Sequence, residues 1–279
     1  METPPPRASR QPLRSHLPLA PEESPLFRWR GTGVSRLEGL ADAVFAFTVT
    51  LLVVALEVPR DFDGLMQVME GFPAFAATFA LLMWYWSVHY TFFRRYGLEG
   101  PWIRFLNIVA LLLIVFLAYP LKFLISAAFA SFFGLGVSVF TLNSLSELSQ
   151  LYILYGLGLG STWFVYWLMF YEAYRQRKRL QLTPVEVLLT RGSMAEISAI
   201  IAVCMASVLL AMFNRYNWQT GMIYMLLGPL MAFIGWHYGS RAEKLHRQAQ
   251  KQKSTGEEPT PDDTAAATEP DTAPPDSKE

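Results

Sequence analysis

"RLEGLADAVFAFTVTLLVVALEVP" (residues 36–59) is the stretch on which the fold turns. It opens with Arg36, Glu38 and Asp42 and is then apolar to Leu56. That length is close to the ~20 residues a helix needs to cross about 30 Å of hydrocarbon. A helix advances about 100° per residue, so Phe47, Leu51, Val54 and Val58 form one stripe, with Thr50 roughly 60° to one side. Asp42 points about 140° away from Phe47. The span is therefore two-faced, with a bulky apolar stripe edged by a threonine and an acid elsewhere at its start. A carboxylate inside a membrane helix costs roughly 3 kcal/mol unless it finds a partner. Headgroup water, together with the backbone N–H groups of the helix N-terminus, accounts for Asp42 as readily as a partner does.

Outward from this stretch the composition repeats the message. The chain of 279 residues is 52% hydrophobic and only 16% charged, whereas soluble domains carry about a quarter charged residues. These values predict an all-α polytopic membrane protein. Five more apolar segments follow the first, which lies near 37–58. They lie near 72–93, 103–121, 148–171, 193–213 and 218–239, giving a six-helix transmembrane domain over 31–240. Residues 1–30 are Pro- and Arg-rich and are expected to be a disordered tail. Residues 122–147 read best as a prolongation of the third helix followed by a loop. Residues 241–253 continue the last helix as a basic extension, and 254–279 form an acidic, Pro/Thr-rich tail expected to be disordered. No cleavable signal peptide is evident, so the first span is expected to direct insertion.

Lys and Arg near the span ends set orientation. Arg28, Arg30, Arg36, Arg94, Arg95, Arg104, Arg175, Arg177, Lys178, Arg179, Arg191, Arg241, Lys244 and Arg247 fall on one side, and only Arg60, Lys122 and Arg215 on the other. That bias predicts both termini in the cytoplasm. No basic face suits nucleic acid. Cys204 is the only cysteine and lies in an apolar run, which argues against disulfides within the chain and a thiolate metal site. Neither metal nor cofactor is expected. His89 near the end of the second span and Asn107 near the start of the third match Asp42 in depth. Three polar groups at one level on consecutive helices suggest a hydrogen-bonded clamp with a structural role. Glu196 and His237, near span ends, need no more than interfacial placement.

These residues resemble the transmembrane protein 175 family, the lysosomal and prokaryotic potassium channels. The resemblance rests on Arg36 with Asp42, on "VFAFTVTLLV" (44–53), on "WSVHYTFFRR" from Trp86, and on "FLNIVALLLIVFLAYP" (105–120). It covers 36 to about 121. It implies a pore lined by the first helix of each subunit, without a carbonyl-type potassium filter. It implies apolar constrictions at Phe47, Leu51 and Val54 and a hydroxyl layer at Thr50. Arg36, Asp42, Trp86, His89 and Asn107 would match the network that holds the pore helix. One motif copy and six spans resemble the prokaryotic type, which implies a homotetramer in the plasma (inner) membrane conducting K+. The family's Phe-Ser-Asp is Leu40-Ala41-Asp42 here, and Phe47 stands where Ile is usual.

Two other classes compete. A secondary transporter should show an internal repeat and helices broken near the midplane. No repeat is visible, and "YGLGLGST" (155–162) is the only candidate break. An intramembrane enzyme would need acids, His or Cys facing a cavity in mid-span, and the sequence offers almost none.

Overall fold

The computed structural model describes residues 26–31, 33–54, 59–133, 145–213 and 218–255. The elements are α1 (Arg36–Val54), α2 (Phe62–Glu70), α3 (Phe72–Tyr96), α4 (Pro101–Phe133), α5 (Leu145–Arg175), α6 (Pro184–Phe213), α7 (Trp218–Met222), a 3-10 turn (Ile223–Leu226) and α8 (Leu227–Thr255). The described residues are all-helical, without strands. Among the described residues five helices are long and apolar enough to span a bilayer, and α2 with α3, bent by 43°, brings the number to six when the pair is taken as one span. The tails expected before residue 26 and after 255 lie outside the described residues.

The helices pack as a chain of neighbours. Helix α1 lies against α3 and α4, α4 against α5, α5 against α6 in the most extensive contact, and α6 against α8. Phe92, Phe93, Tyr96, Tyr166, Met169 and Phe170 are fully buried at the centre. Lipid tails are as apolar as these side chains, so their gain comes from close van der Waals packing rather than from release of water.

Local sequence explains most boundaries. Helix α3 starts with Pro73 in its first turn and ends at Gly97, whose φ of 57° is left-handed. The Gly97 N–H donates to the Phe93 carbonyl at 2.9 Å, as helix-ending glycines do. Helix α4 runs past Pro120 to Phe133, and the Tyr155 hydroxyl of α5 donates to the Pro120 carbonyl. The prolongation expected from 122 is thus present as far as Phe133, and the loop expected after it falls on undescribed residues.

Three features depart from the sequence reading. Residues 26–30 do not belong to a tail, since Phe27 is buried and Arg30 is fixed to α6. Helix α2 replaces a plain connection. Its N-cap Asp61 accepts from the Gly64 N–H at 2.8 Å. The last span tightens into a 3-10 turn just before Pro229, because a proline ring crowds the carbonyl four residues earlier and offers it no N–H. By contrast, "YGLGLGST" is continuous helix within α5, as the span expected near 148–171 requires. A Cβ on Gly156 would stand 2.6 Å from Val208, and one on Gly158 2.5 Å from Leu117. These glycines permit close approach of α5 to α6 and α4, the usual role of small residues between membrane helices.

Candidate functional site: the first helix and its anchorage

Helix α1 is divided lengthwise. Ala41, Phe45, Thr48 and Leu52 recur every three or four residues and are buried, the spacing of one helix face. The opposite face carries Phe47 (57% exposed), Leu51 and Val54 (72% exposed), with Thr50 also exposed. Both threonine hydroxyls donate to the carbonyl one turn back, Thr48 to Val44 at 2.7 Å and Thr50 to Ala46 at 3.0 Å. Such a hydroxyl keeps its acceptor lone pairs. Those of Thr50 face out of the protomer, whereas Thr48 is packed inside.

The buried face is held at one end of the bundle, which carries Arg94, Arg95 and Arg104. Trp86 Nε1–H donates to Asp42 Oδ1 at 2.8 Å, and the Trp86 ring stacks on Tyr90. His89 Nε2 and Asn107 Oδ1 are 2.6 Å apart. Both residues are buried, and Phe45 of α1 meets the His89 ring edge-on at 6.0 Å. Asp42, Trp86, His89 and Asn107 therefore link α1 to α3 and α3 to α4. Arg36 stands outside this set, exposed and without a hydrogen bond or ion pair among the described residues. Glu38 occupies the position expected of Arg36. Its Oε2 accepts from the Ser35 N–H at 2.8 Å, and Ser35 Oγ accepts from the Glu38 N–H at 3.1 Å. Its other oxygen lies 3.8 Å from Arg94 Nε. Arg36 is one residue past a helix cap, and its side chain leaves the bundle there.

A second anchor escaped the sequence reading. The Arg30 guanidinium donates through Nη1 and Nη2 to the two carboxylate oxygens of Glu186, each at 2.9 Å. Its Nε donates to the Leu180 carbonyl at 2.9 Å. Glu186 also accepts from the Arg28 N–H at 2.9 Å and the Thr183 N–H at 2.8 Å. The Arg30 and Gly31 N–H groups donate to the Arg94 carbonyl at 3.0 and 3.1 Å. Residues 26–31 thus strap the start of α1 to the end of α3 and the start of α6. Both missed acids carry a legible signal: Ser35-x-x-Glu38 and Thr183-Pro184-x-Glu186 are capping boxes. Among the described residues no group of His, Cys, Asp or Glu is arranged to hold a metal.

The buried His89–Asn107 pair yields a thermodynamic expectation. Replacing Asn107 alone with Leu strands a buried imidazole and should cost about 1–3 kcal/mol. Replacing His89 alone with Leu strands the amide at similar cost. The double replacement removes both polar groups, so it should cost clearly less than the sum of the singles. Melting of the four detergent-solubilised proteins measures this; additive losses would show that the contact contributes nothing.

A bundle of membrane-spanning helices whose first member is tied down on one face and bears an exposed apolar, threonine-edged stripe on the other defines a polytopic helical membrane protein. The family model described as "Endosomal/lysosomal potassium channel TMEM175" matches residues 36–118. A potassium channel of Marivirga tractuosa is 31% identical over 233 residues, covering 80% of this chain and 94% of that protein. The crystal structure of a threonine-to-alanine variant of the potassium channel MtTMEM175, in complex with a nanobody–MBP fusion protein, covers 77% of this chain and 97% of that one. Its TM-score is 0.67 at 30% identity. The chain belongs to the TMEM175 family of potassium channels, multi-pass membrane proteins.

Proposed function

We propose that this chain assembles as a homotetrameric cation channel, conducting K+ with modest selectivity through a central pore lined by α1. The observation that carries the reading is the exposed stripe of Phe47, Thr50, Leu51 and Val54, opposite the face of α1 packed on α3 and α4. One helix cannot enclose a pore, and closed rotational symmetry is the ordinary way to bring identical faces round an axis. Phe47, Leu51 and Val54 then form apolar constrictions, which gate by dewetting and open as the α1 helices move outward. Thr50 supplies the hydroxyl ring of the pore. Its proton is engaged by the Ala46 carbonyl, so oxygen lone pairs are presented to the ion. Hydroxyls from four subunits replace only part of a hydration shell, hence selectivity is modest and no ring of backbone carbonyls is invoked. Asp42, Trp86, His89 and Asn107 serve as the clamp that sets the tilt of α1, with Glu38 in the place expected of Arg36. The ligand of the pore is the permeant ion, and no cofactor takes part in conduction. The Lys and Arg distribution supports cytoplasmic termini, and the likeness to the six-span prokaryotic type, with the Marivirga tractuosa channel as a relative, supports residence in a prokaryotic plasma membrane.

The test is flux and reversal potential in liposomes holding the purified protein. K+ should move down its gradient without ATP or a counter-ion, and Thr50→Val should lower the K+ over Na+ preference while current persists. Flux that requires a counter-ion would identify a secondary transporter. Unchanged selectivity in Thr50→Val would remove the threonine from the conduction path.

A further inference from the structure

Between α3, α5, α6 and α8 lies a cavity of about 190 Å³ that the channel reading does not use. This is well above the ~10–15 Å³ that a single water needs. It is on the opposite side of α3 from the α1 clamp's Asp42 contact, and two opposite charges line it, Arg95 and Glu196. The two make no hydrogen bond or ion pair with each other. Arg95 instead covers the Phe27 ring at 4.9 Å, and Glu196 has no hydrogen-bond partner among the described residues. Charges at this depth in a membrane bundle pair with one another or mark a functional site. Here they stay apart with hydroxyls of Ser87, Thr91 and Ser193 on the cavity wall.

The register of the helices orders these groups. Tyr96 of α3 and Thr190 of α6 share a 2.8 Å hydrogen bond and so lie at one level. Glu196 is six residues further along α6, about 9 Å deeper at 1.5 Å per residue. Arg95 adjoins Tyr96, so the cation stands at the basic end and the acid lies inward of it. Trp84, Trp163 and Phe170 also line the cavity. Aromatic faces and a carboxylate together suit an ammonium group, and a guanidinium suits a phosphate or carboxylate. Gly235 of α8 lies beside the acid, where an added Cβ would sit in ordinary contact with Glu196 Oε1 at 3.5 Å.

We propose that this cavity binds a small zwitterion of the phosphoethanolamine type, with its anionic group on Arg95, its ammonium on Glu196, and the three hydroxyls between them. The source is either the headgroup of phosphatidylethanolamine or the free solute; the chemistry read by the cavity is the same. Glu196 is then a ligand-binding residue rather than an interfacial acid.

The full-length protein in nanodiscs of phosphatidylcholine tests this in two arms. One adds free phosphoethanolamine and follows the melting temperature. The other supplies phosphatidylethanolamine and counts retained lipids by native mass spectrometry. Saturable stabilisation in the first arm assigns the free solute, and selective retention in the second alone assigns the lipid. Either result should weaken at least tenfold in Glu196→Gln, which keeps the side chain's shape, and in Thr91→Leu, which narrows the cavity without touching either charge. No binding in either arm, or binding unaltered in both variants, would overturn the proposal.

Discussion

Glu186→Ala is expected to destabilise the protein by about 3–5 kcal/mol, the cost of leaving one member of a buried ion pair without its partner. Glu186 is 1% exposed, and its two oxygens accept from Arg30, from the Arg28 N–H and from the Thr183 N–H. Alanine removes every one of these acceptors at once. It also opens the capping box that starts α6, a loss of ~1 kcal/mol by itself. Arg30→Lys should recover little, because an ammonium cannot reproduce the planar fork that meets both oxygens. The internal control is Arg247→Ala. Its pair with Glu243 is shorter, 2.7 Å, but both side chains are more than half exposed, and such pairs contribute about 0–1 kcal/mol. Melting in detergent distinguishes the cases. A Glu186→Ala protein that melts with the wild type would show that residues 26–31 are not held by this contact. The strap also carries Gly31 and Gly33, whose carbonyls accept from Arg94 Nη1 at 3.3 Å. Loss of Glu186 should therefore loosen the entry to α1 as well as α6.

This anchor also shows where the sequence stopped being legible. Helix α1, its two faces and the approximate positions of the long helices follow from periodicity and hydropathy, because lipid demands uninterrupted apolar helix of a set length. The level shared by Asp42, His89 and Asn107 could be read from distances to span ends. Phe27, Arg28 and Arg30 could not. They lie beside a proline in a segment without period, and their partners are far along the chain, Tyr96 for Phe27 and Glu186 for Arg28 and Arg30. Order there is supplied by tertiary contact, which no local pattern announces. Arg36 was assigned through the family resemblance and Glu38 by charge alone, although Ser35 three residues before Glu38 signals a cap. A capping acid is drawn into the bundle end, and the neighbouring arginine is turned out. The glycines of α5 look like a break in a sequence and act as a contact surface in the fold, because a glycine's meaning depends on what packs against it. Helix α2 is amphipathic but short, nine residues, and such a segment is hard to separate from a loop before its bend against α3 is seen.

Phe47→Ala should raise K+ conductance by roughly tenfold or more, since lowering the barrier by only ~1.4 kcal/mol gives that factor. The argument rests on where the ring is. Phe47 is 57% exposed in the protomer and lies on the α1 face away from α3 and α4. Truncating it removes no buried contact within one chain, so folding should be little changed and any gain in current reports on the path of the ion. In the proposed tetramer the rings of four subunits meet near the axis, and an apolar constriction resists ions by excluding their hydration water. Replacing each phenyl by a methyl widens the layer and lets water through it. Phe47→Ile, the residue the family resemblance leads one to expect, should fall between alanine and wild type. Single-channel recording in bilayers separates conductance from open probability, and the melting temperature checks that each variant is folded. Were the exposed face of α1 turned toward lipid, all three side chains would give the same current, because nothing in the ion's path would have changed. A graded series ordered by side-chain bulk, at constant stability, is the outcome that only a pore-facing Phe47 produces.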